Sequence, residues 1–500
     1  MSFSTVSSVS SIFKRHAILF VCIFLACIVY SIGIETYPSG FHNDEASFFL
    51  NAQYIRDTGK DEDGLAWPVY LRSFIDPKPA LYSYLQIPFT VVLGDMISAA
   101  RAPSIAFGIG TVIAFYALVQ LIFSTQLAKI ATPVFALSPW MILLVRGTQE
   151  VVMSLFFGIL SLSLFARWIS KHSETKPRLL SSLVLITAFG SAFLSMYAYH
   201  SAKLVLPLLF VLLYLWNLWF HEKNTTRLLQ LSSVQYKKLL HKTVFVFGIL
   251  AVFTAFVYIL TFSSADGLKR FQAVSVFSQP QVQLILDGQI RTATPHLPQT
   301  LIRAFHNKPV NYAIEIMERM SAYLSFEFLF FQGAQPMRYS VPRHGLLFMV
   351  EILFVLFGVI ALILQKKSDS PQRGHGLLLL FWILFAIIPG SITSQEHPSM
   401  IRTAFLLPAI SIVAHGLLWI LAIKPHKTRT FVLGCSILGY LLSMAYFANQ
   451  YTVQAVYLQP WHRNLADQRL VETVQSIEHE YDEIVISRFV SGQPYVYFGL

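Results

Sequence analysis

Long apolar segments recur from one end of this 500-residue chain to the other. Hydrophobic residues make up 55% of the sequence and charged residues only 13%, a composition that excludes an ordinary water-soluble globular protein. A helix of about 20 apolar residues spans a hydrocarbon core of roughly 30 Å and satisfies its own backbone polar groups. The sequence therefore predicts an α-helical polytopic membrane protein with about eleven transmembrane helices. They run approximately over residues 17–34, 98–123, 127–145, 150–169, 179–200, 203–220, 243–263, 345–364, 376–394, 401–421 and 430–448.

Positively charged residues collect in alternate connections between these segments. Cytoplasmic loops of membrane proteins are enriched in Lys and Arg, so we expect a multi-pass protein of the cell membrane with a cytoplasmic N-terminus and an extracytoplasmic C-terminus. The net charge of +11 follows from this topology, and no nucleic-acid partner is predicted. The basic residues are Lys14 and Arg15; Lys171, Lys176 and Arg178; Lys223, Arg227, Lys237, Lys238 and Lys242; Lys366, Lys367 and Arg373; and Lys424, Lys427 and Arg429.

Three regions on the predicted outer side are large enough to carry a function. Two are loops, at residues 35–99 and 264–344, within a transmembrane catalytic domain that covers residues 1–448. The third is a short extracytoplasmic segment, residues 449–500. In the second loop, residues 312–331 mix apolar and charged side chains, which suits a lid at the membrane surface.

Local patterns predict the secondary structure of these regions. The first loop is expected to hold interfacial helices, one with Phe48 and Phe49 against the membrane surface and one over residues 81–92. In the tail, residues 466–480 have the pattern of a helix and residues 483–487 that of a strand. The tail is therefore predicted to form a small α/β unit.

The sequence does not demand a metal or another cofactor. Cys22, Cys27 and Cys435 all fall within predicted spans, so neither a disulfide framework nor a cysteine metal site is expected. Glu396 and His397 are neighbouring side chains of metal-binding type, but a capping or solvated role is the commoner fate of such a pair. No cofactor is firmly predicted, and a divalent metal is left open.

The adjacent carboxylates Asp44 and Glu45 are the first candidates for chemistry. They follow the first apolar segment by about ten residues, and neighbouring side chains on a helix or strand point in different directions, so two different roles are expected. A carboxylate at the membrane surface is suited to accept a proton from an attacking hydroxyl as a general base. The alternative is that Asp44 is a helix N-cap. We take Asp44 and Glu45 as candidate catalytic residues.

Cations on the same predicted side suit an anionic substrate. Lys78 lies between Pro77 and Pro79, which stiffen the backbone and present its ammonium group. Arg402 lies at the outer start of the tenth span, from where a guanidinium can bind a phosphate with two hydrogen bonds. Arg146 lies at the outer end of the third span. The alternatives are a lysine that anchors to lipid headgroups and an Arg146 that pairs with a nearby carboxylate or snorkels.

A series of short motifs follows Asp44 and Glu45 along the chain. The motifs read Asp44-Glu45-Ala46; Thr58-Gly59-Lys60-Asp61; Gly64; Pro68; Lys78-Pro79-Ala80-Leu81-Tyr82; Ala100-Arg101; Ser138-Pro139-Trp140 with Arg146 and Glu150; Tyr197-Ala198-Tyr199; Phe328-Leu329-Phe330-Phe331 with Gly333 and Arg338; and Pro398 with Arg402 and Pro408. Their order resembles the GT-C superfamily of membrane glycosyltransferases, specifically the branch with protein O-mannosyltransferases and bacterial aminoarabinose transferases, over about residues 10–450.

The resemblance implies an enzyme that moves a sugar, with inversion, from a polyprenyl-phosphate carrier to an acceptor hydroxyl at the extracytoplasmic face. Asp44 matches the family's catalytic aspartate, and Lys78 matches a lysine that contacts the carrier phosphate. Tyr82, Arg146 and Arg402 complete the candidate substrate-binding residues, while the role of Glu45 is open. The partners implied are a polyprenyl-phosphate-linked sugar, a lipid, glycan or protein acceptor, and membrane lipids.

Two other classes of protein compete with this interpretation. A secondary transporter also has about eleven spans, but it usually places charges near mid-membrane and often shows internal repeats. In this sequence the predicted spans are nearly free of charges and no internal repeat is evident. A non-catalytic assembly protein for envelope glycans or lipids would not require an ionisable Asp44. The loop at residues 396–402 follows the family pattern only loosely, and the tail is shorter than the soluble domain of many relatives. The sugar, the carrier length and the acceptor are left open.

Overall fold

The structure is a computed structural model that describes residues 3–73, 76–171, 178–221, 233–262, 272–364, 374–422, 426–459 and 463–486. Most of these residues are helical. The helices are α1 Phe3–Ser31, α2 Asn43–Thr58, α3 Leu81–Leu93, α4 Ile97–Ile122, α5 Thr125–Ala136, α6 Pro139–Val145, α7 Glu150–Lys171, α8 Arg178–Ala198, α9 His200–Trp216, α10 Ser233–Phe262, α11 Gln281–Ala293, α12 Gln299–Phe305, α13 Lys308–Tyr323, α14 Glu351–Leu364, α15 His375–Ser391, α16 Ser411–Leu421, α17 His426–Asn449, α18 Ala455–Leu458 and α19 Leu465–Ile477. Two short strands, β1 Tyr70–Ser73 and β2 Asp76–Pro79, form an antiparallel hairpin.

Apolar helices account for all the predicted spans. Six are long and apolar enough to cross a membrane: Ile97–Ile122, Glu150–Ser170, Leu180–Ala198, His200–Trp219, Ala404–Leu421 and Lys427–Leu458. The bent pair α5 and α6 makes a seventh, and the other four predicted spans coincide with the shorter apolar helices His16–Ser31, Thr243–Ile259, Glu351–Leu364 and His375–Ser391. The chain is therefore a multi-pass helical membrane protein, while the count of about eleven spans stays a prediction.

The span predicted over residues 127–145 is not one straight helix. α5 ends at Ala136, α6 begins at Pro139, and the two axes differ by 57°. Ser138 caps α6 by accepting a hydrogen bond from the Met141 N–H, and a proline at the first position of a helix needs no N–H partner. The Ser-Pro pair thus starts a new helix where the apolar pattern alone predicts continuity.

Close helix packing forms the centre of the molecule. α7 packs against α4 and α8, and α14 packs against α16. The contact between α14 and α16 uses two glycines: a Cβ on Gly358 would lie 2.1 Å from the Ile412 carbonyl oxygen, and one on Gly416 would lie 2.0 Å from that of Phe354. Small residues allow such backbones to approach each other within a membrane.

The first outer region folds onto the bundle. α2 buries Phe48 and Phe49, which are 1% and 3% exposed, so the prediction that they lie against the membrane surface is wrong. They pack instead against α3 and α4, because α2 bridges the loop and the bundle. α3 matches the predicted second helix and exposes Val91 and Val92.

The second outer region and the tail are largely helical. α11, α12 and α13 expose apolar side chains, among them Leu284, Phe305 and Met317. In the tail, the predicted helix is present as α19, followed by a 3-10 turn at Glu478–Glu480. The predicted strand is absent from residues 483–486, and residue 487 lies outside the described residues. Since a single strand needs a partner for its backbone groups, these residues run as irregular chain.

Candidate active site

The N-terminus of α2 carries Asp44 and Glu45. The N-cap is His42, whose side chain accepts a hydrogen bond from the Asp44 N–H at 3.1 Å, while the Glu45 carboxylate accepts one from the His42 N–H at 3.0 Å. This reciprocal arrangement is a capping box. The alternative that Asp44 itself is the N-cap is therefore wrong, and its carboxylate is available for other partners.

Asp44 forms an ion pair with Lys78, which the β1–β2 hairpin presents opposite Leu71. The Lys78 side chain is 10% exposed and its ammonium group lies 5.2 Å from the centre of the Phe48 ring, while the Asp44 side chain remains 38% exposed. Burial alone would raise the pKa of Asp44, but Lys78 and His42 outweigh burial and hold that pKa well below its usual range. Asp44 is thus an ionised, accessible carboxylate beside a fixed cation.

Glu45 points away from Asp44 into the protein interior, where it is fully buried. Its carboxylate lies 2.8 Å from Arg463 and 3.3 Å from Arg101, and it also accepts a hydrogen bond from the Thr148 N–H at 2.8 Å. Burial would raise the pKa of Glu45, but the two arginines and the backbone donors lower it from 4.5 to about 2. The two adjacent carboxylates therefore face different surroundings, as predicted, and Glu45 joins several chain segments.

A second group of charges, which includes Arg402, lies near Asp44. Arg338 pairs with Glu396 at 2.5 Å, and Glu396 also lies 3.8 Å from Arg402. Burial would lower the pKa of Arg338, but Tyr339, Glu396 and Asp44 together raise it, so Arg338 interacts with the charges on both sides. Arg402 also donates to Thr393 Oγ1 at 3.1 Å. The Asp44–Lys78 pair and the group of Arg338, Glu396 and Arg402 are thus two neighbouring sets of charges, related through the electrostatic interaction between Asp44 and Arg338, and together we call them the Asp44 network.

His397 and Glu396 do not form a metal site with other side chains among the residues that the structure describes, where no group of three His, Cys, Asp or Glu is suitably placed. The His397 Nε2 lies 3.1 Å from the Arg319 carbonyl oxygen. Burial, together with the charges of Arg319 and Arg402, lowers the pKa of His397 to about 4. A neutral imidazole beside two arginines supports the loop that carries Arg402.

Tyr82 and Arg146, both predicted to bind substrate, lie inside the protein. Tyr82 is fully buried and its hydroxyl lies 2.7 Å from the Ser104 hydroxyl. The Arg146 guanidinium is buried and donates to the carbonyl oxygens of Val29, Ile32 and Tyr37 at 2.6–2.9 Å. Neither contact joins them to the Asp44 network, and their binding of substrate stays a prediction.

Four site residues were given no role by the sequence. Arg101 and Arg338 stand in motifs of the resemblance, but nothing in those motifs indicates which carboxylates they approach. His42 and Arg463 belong to no motif. A signal was available for His42, because a residue with a side-chain acceptor followed three positions later by Glu is the pattern of a capping box.

Comparison with known proteins gives a family match over part of the chain and a fold for most of it. Residues 77–235 match the family model described as dolichyl-phosphate-mannose-protein mannosyltransferase. The oligosaccharyltransferase of Archaeoglobus fulgidus, tethered with an acceptor peptide, superposes with a TM-score of 0.54 at 11% identity over 95% of this chain and 59% of that one. The chain has the GT-C fold. The resemblance to the GT-C superfamily is thereby confirmed at the level of the fold.

Other structures of the archaeal enzyme agree with this GT-C assignment. The complex with an inhibitory peptide and a dolichol-phosphate gives a TM-score of 0.52 at 12% identity and covers 95% of this chain and 60% of that one. The complex with Zn and sulfate gives 0.53 at 12% identity and covers 94% and 57%. The chain thus spans less than two thirds of the length of these structures. A search of curated proteins gives no match.

Proposed function

We propose that this protein is a membrane glycosyltransferase that transfers a sugar, with inversion, from a polyprenyl-phosphate carrier to an acceptor hydroxyl at the extracytoplasmic face. The observation that carries the proposal is the ion pair between the accessible Asp44 and Lys78, with Arg338 close by. The family match, which begins at residue 77 and so includes Lys78, and the GT-C fold support the same activity.

The cations suit the phosphate of the donor. Lys78 is held by a stiff hairpin and by Asp44, so its ammonium group is fixed before substrate binds. Arg402 adds a second cation, and Glu396 connects it to Arg338. Fixed positive charges stabilise the negative charge that grows on a leaving phosphate, and they need no reorganisation during the reaction.

Asp44 is the proposed base. The acceptor oxygen attacks the anomeric carbon, the bond from that carbon to the phosphate oxygen breaks, the phosphate leaves with the electron pair, and Asp44 takes the hydroxyl proton. In the free enzyme Lys78 keeps the pKa of Asp44 low. When the donor phosphate binds beside Lys78, its negative charge offsets that of the ammonium group and the pKa of Asp44 rises, so substrate binding makes Asp44 a stronger base.

The remaining parts of the proposal concern the membrane and the partners. We place the N-terminus in the cytoplasm, with about eleven spans and an extracytoplasmic tail, on the distribution of Lys and Arg. The dolichol-phosphate bound by the archaeal enzyme and its tethered acceptor peptide support a lipid-linked donor and a peptide or glycan acceptor here. A divalent metal is not needed for the steps described above.

The base is tested with purified protein in lipid and a set of polyprenyl-phosphate sugars. Asp44→Asn should lower turnover by about 10²- to 10⁴-fold, because general-base catalysis contributes on that order. Binding of polyprenyl phosphate, measured separately, should persist because Lys78 remains. Asp57→Asn, an exposed carboxylate of the same helix, is the matched control and should transfer normally. Normal turnover by Asp44→Asn would exclude Asp44 as the base.

The same preparation tests the phosphate site. Lys78→Ala should weaken polyprenyl-phosphate binding by roughly 10- to 100-fold, since a hydrogen bond to a charged group contributes about 1.5–3 kcal/mol. Lys60→Ala, an exposed lysine of the same loop, is the control. Unchanged affinity in Lys78→Ala would remove that residue from the site. Uptake of a labelled solute into vesicles without sugar transfer would instead indicate a transporter.

A further inference from the structure

The tail reaches the candidate active site through Arg463, which lies two residues before the start of α19. Its guanidinium lies 2.8 Å from the Glu45 carboxylate, and its Nη1 donates to the Arg338 carbonyl oxygen at 3.3 Å. The side chain is only 10% exposed. Arg463 therefore contacts Glu45, which follows Asp44 in α2, and the backbone of Arg338, whose charge interacts with that of Asp44.

Backbone packing supports the same connection. Gly40 has φ +80°, and a Cβ on it would lie 2.5 Å from the Arg463 carbonyl oxygen, so the loop before α2 and the start of the tail are in direct contact. Farther along, Val471 of α19 packs in one cluster with Phe41 and Phe49. The tail is thus seated on the N-terminal end of α2 by backbone, apolar and charged contacts.

The two arginines that contact Glu45, Arg101 and Arg463, differ in their other hydrogen-bond partners. Arg101 is fully buried and also donates to the carbonyl oxygens of Ile34, Pro38 and Gly40, so it holds the loop before α2 as well as Glu45. Arg463 is the one that also contacts the backbone of Arg338. Without Arg463, Glu45 keeps a cationic partner, but the contact that Arg463 makes between α2 and the backbone of Arg338 is lost.

We propose that Arg463 is a positioning residue for sugar transfer, through which the tail fixes Asp44 relative to Arg338. The inference rests on the proposed glycosyl transfer. A displacement of about 1 Å at a reacting group costs on the order of 10²-fold in rate, while binding of a substrate by other groups is little affected. The loss of Arg463 should therefore appear in kcat and not in affinity for the carrier.

The experiment compares Arg463→Gln and Arg463→Lys with the wild type in the reconstituted transfer assay. Arg463→Gln should lower kcat at least 10-fold while polyprenyl-phosphate affinity stays within about 3-fold of the wild type. Arg463→Lys keeps the charge at Glu45 and should recover part of the lost kcat. Arg469→Gln, an exposed arginine of α19, is the matched control and should match the wild type.

Amide deuterium exchange over residues 40–50 gives a readout that does not depend on transfer. It should rise in Arg463→Gln and stay unchanged in Arg469→Gln, because only the first variant frees the start of α2. A kcat of Arg463→Gln within 2-fold of the wild type would overturn the positioning role. So would an equal loss of kcat, carrier affinity and melting temperature in Arg463→Gln and Arg463→Lys, because that result indicates general unfolding. A wild type that transfers no sugar while the exchange difference persists would overturn the proposed function and leave the contact of the tail intact.

Discussion

At the scale of single residues, the ion pairs around the start of α2 join distant parts of the chain. Asp44 and Lys78 lie 34 positions apart. The partners of Glu45 lie farther away still, at Arg101 and Arg463. Ion pairs between distant residues leave no periodic pattern in a sequence, so the role of Glu45 emerges only from the fold.

Glu45 gives the residue-scale prediction on stability. Glu45→Gln leaves Arg101 and Arg463 without their carboxylate and should destabilise the protein by about 3–5 kcal/mol at pH 7, because removal of one partner strands buried charge. A carboxyl whose pKa is lowered by folding stabilises the folded state fully above its unfolded pKa, here near 4.5, and loses that contribution as pH falls toward about 2.

Melting temperatures from pH 7 down to pH 3 check this prediction. The gap between wild type and Glu45→Gln should be widest at pH 7 and should narrow below about pH 4.5. Glu472→Gln, an exposed glutamate of the tail, should melt with the wild type throughout. A gap that stays constant down to pH 3 would show that the charge of Glu45 is not what stabilises the fold.

At the scale of elements, apolar segments predicted where helices lie but not how they bend or pack. All the predicted spans coincide with apolar helices, because length and hydrophobicity are local properties. The break between α5 and α6 and the burial of Phe48 and Phe49 depend on neighbouring elements. The strand predicted in the tail also depends on a neighbouring element. Residues 483–486 do not form it, since they have no strand beside them within the part of the chain that the structure describes.

The glycine contact between α14 and α16 gives the element-scale prediction. Gly416→Ala should force the two helices apart and destabilise the protein by about 1–3 kcal/mol, because its Cβ would lie 2.0 Å from the Phe354 carbonyl oxygen. Gly434→Ala in α17 is the control, since its Cβ would meet nothing within 4 Å. A lower melting temperature is expected for Gly416→Ala alone, and equal melting of the two variants would contradict the close contact.

At the scale of the whole molecule, the composition was enough to predict a polytopic helical membrane protein, and the motif order was enough to predict the GT-C fold. Both predictions rest on features spread along the whole chain. An error in the prediction of one helix or strand therefore does not change the predicted protein class or fold. The count of spans is harder, since five apolar helices among the described residues are shorter than a membrane-crossing helix requires, and four of these coincide with predicted spans.

The predicted topology can be tested on the whole protein in intact cells. In a variant without Cys22, Cys27 and Cys435, a cysteine introduced by Asp482→Cys should react with a membrane-impermeant maleimide. One introduced by Lys427→Cys should react only after the cells are opened. Both positions are exposed, so accessibility depends on the side of the membrane. Labelling of Lys427→Cys in intact cells would reverse the proposed orientation.

The contact between Glu45 and Arg463 has a consequence for biosynthesis. The two residues are separated by more than four hundred positions, and the second leaves the ribosome long after the first has reached the membrane. Until then only Arg101 and backbone donors are available to Glu45, and the contact through Arg463 to Arg338 cannot form. We therefore expect a nascent chain that stalls before residue 463 to have the predicted spans and an incomplete candidate site.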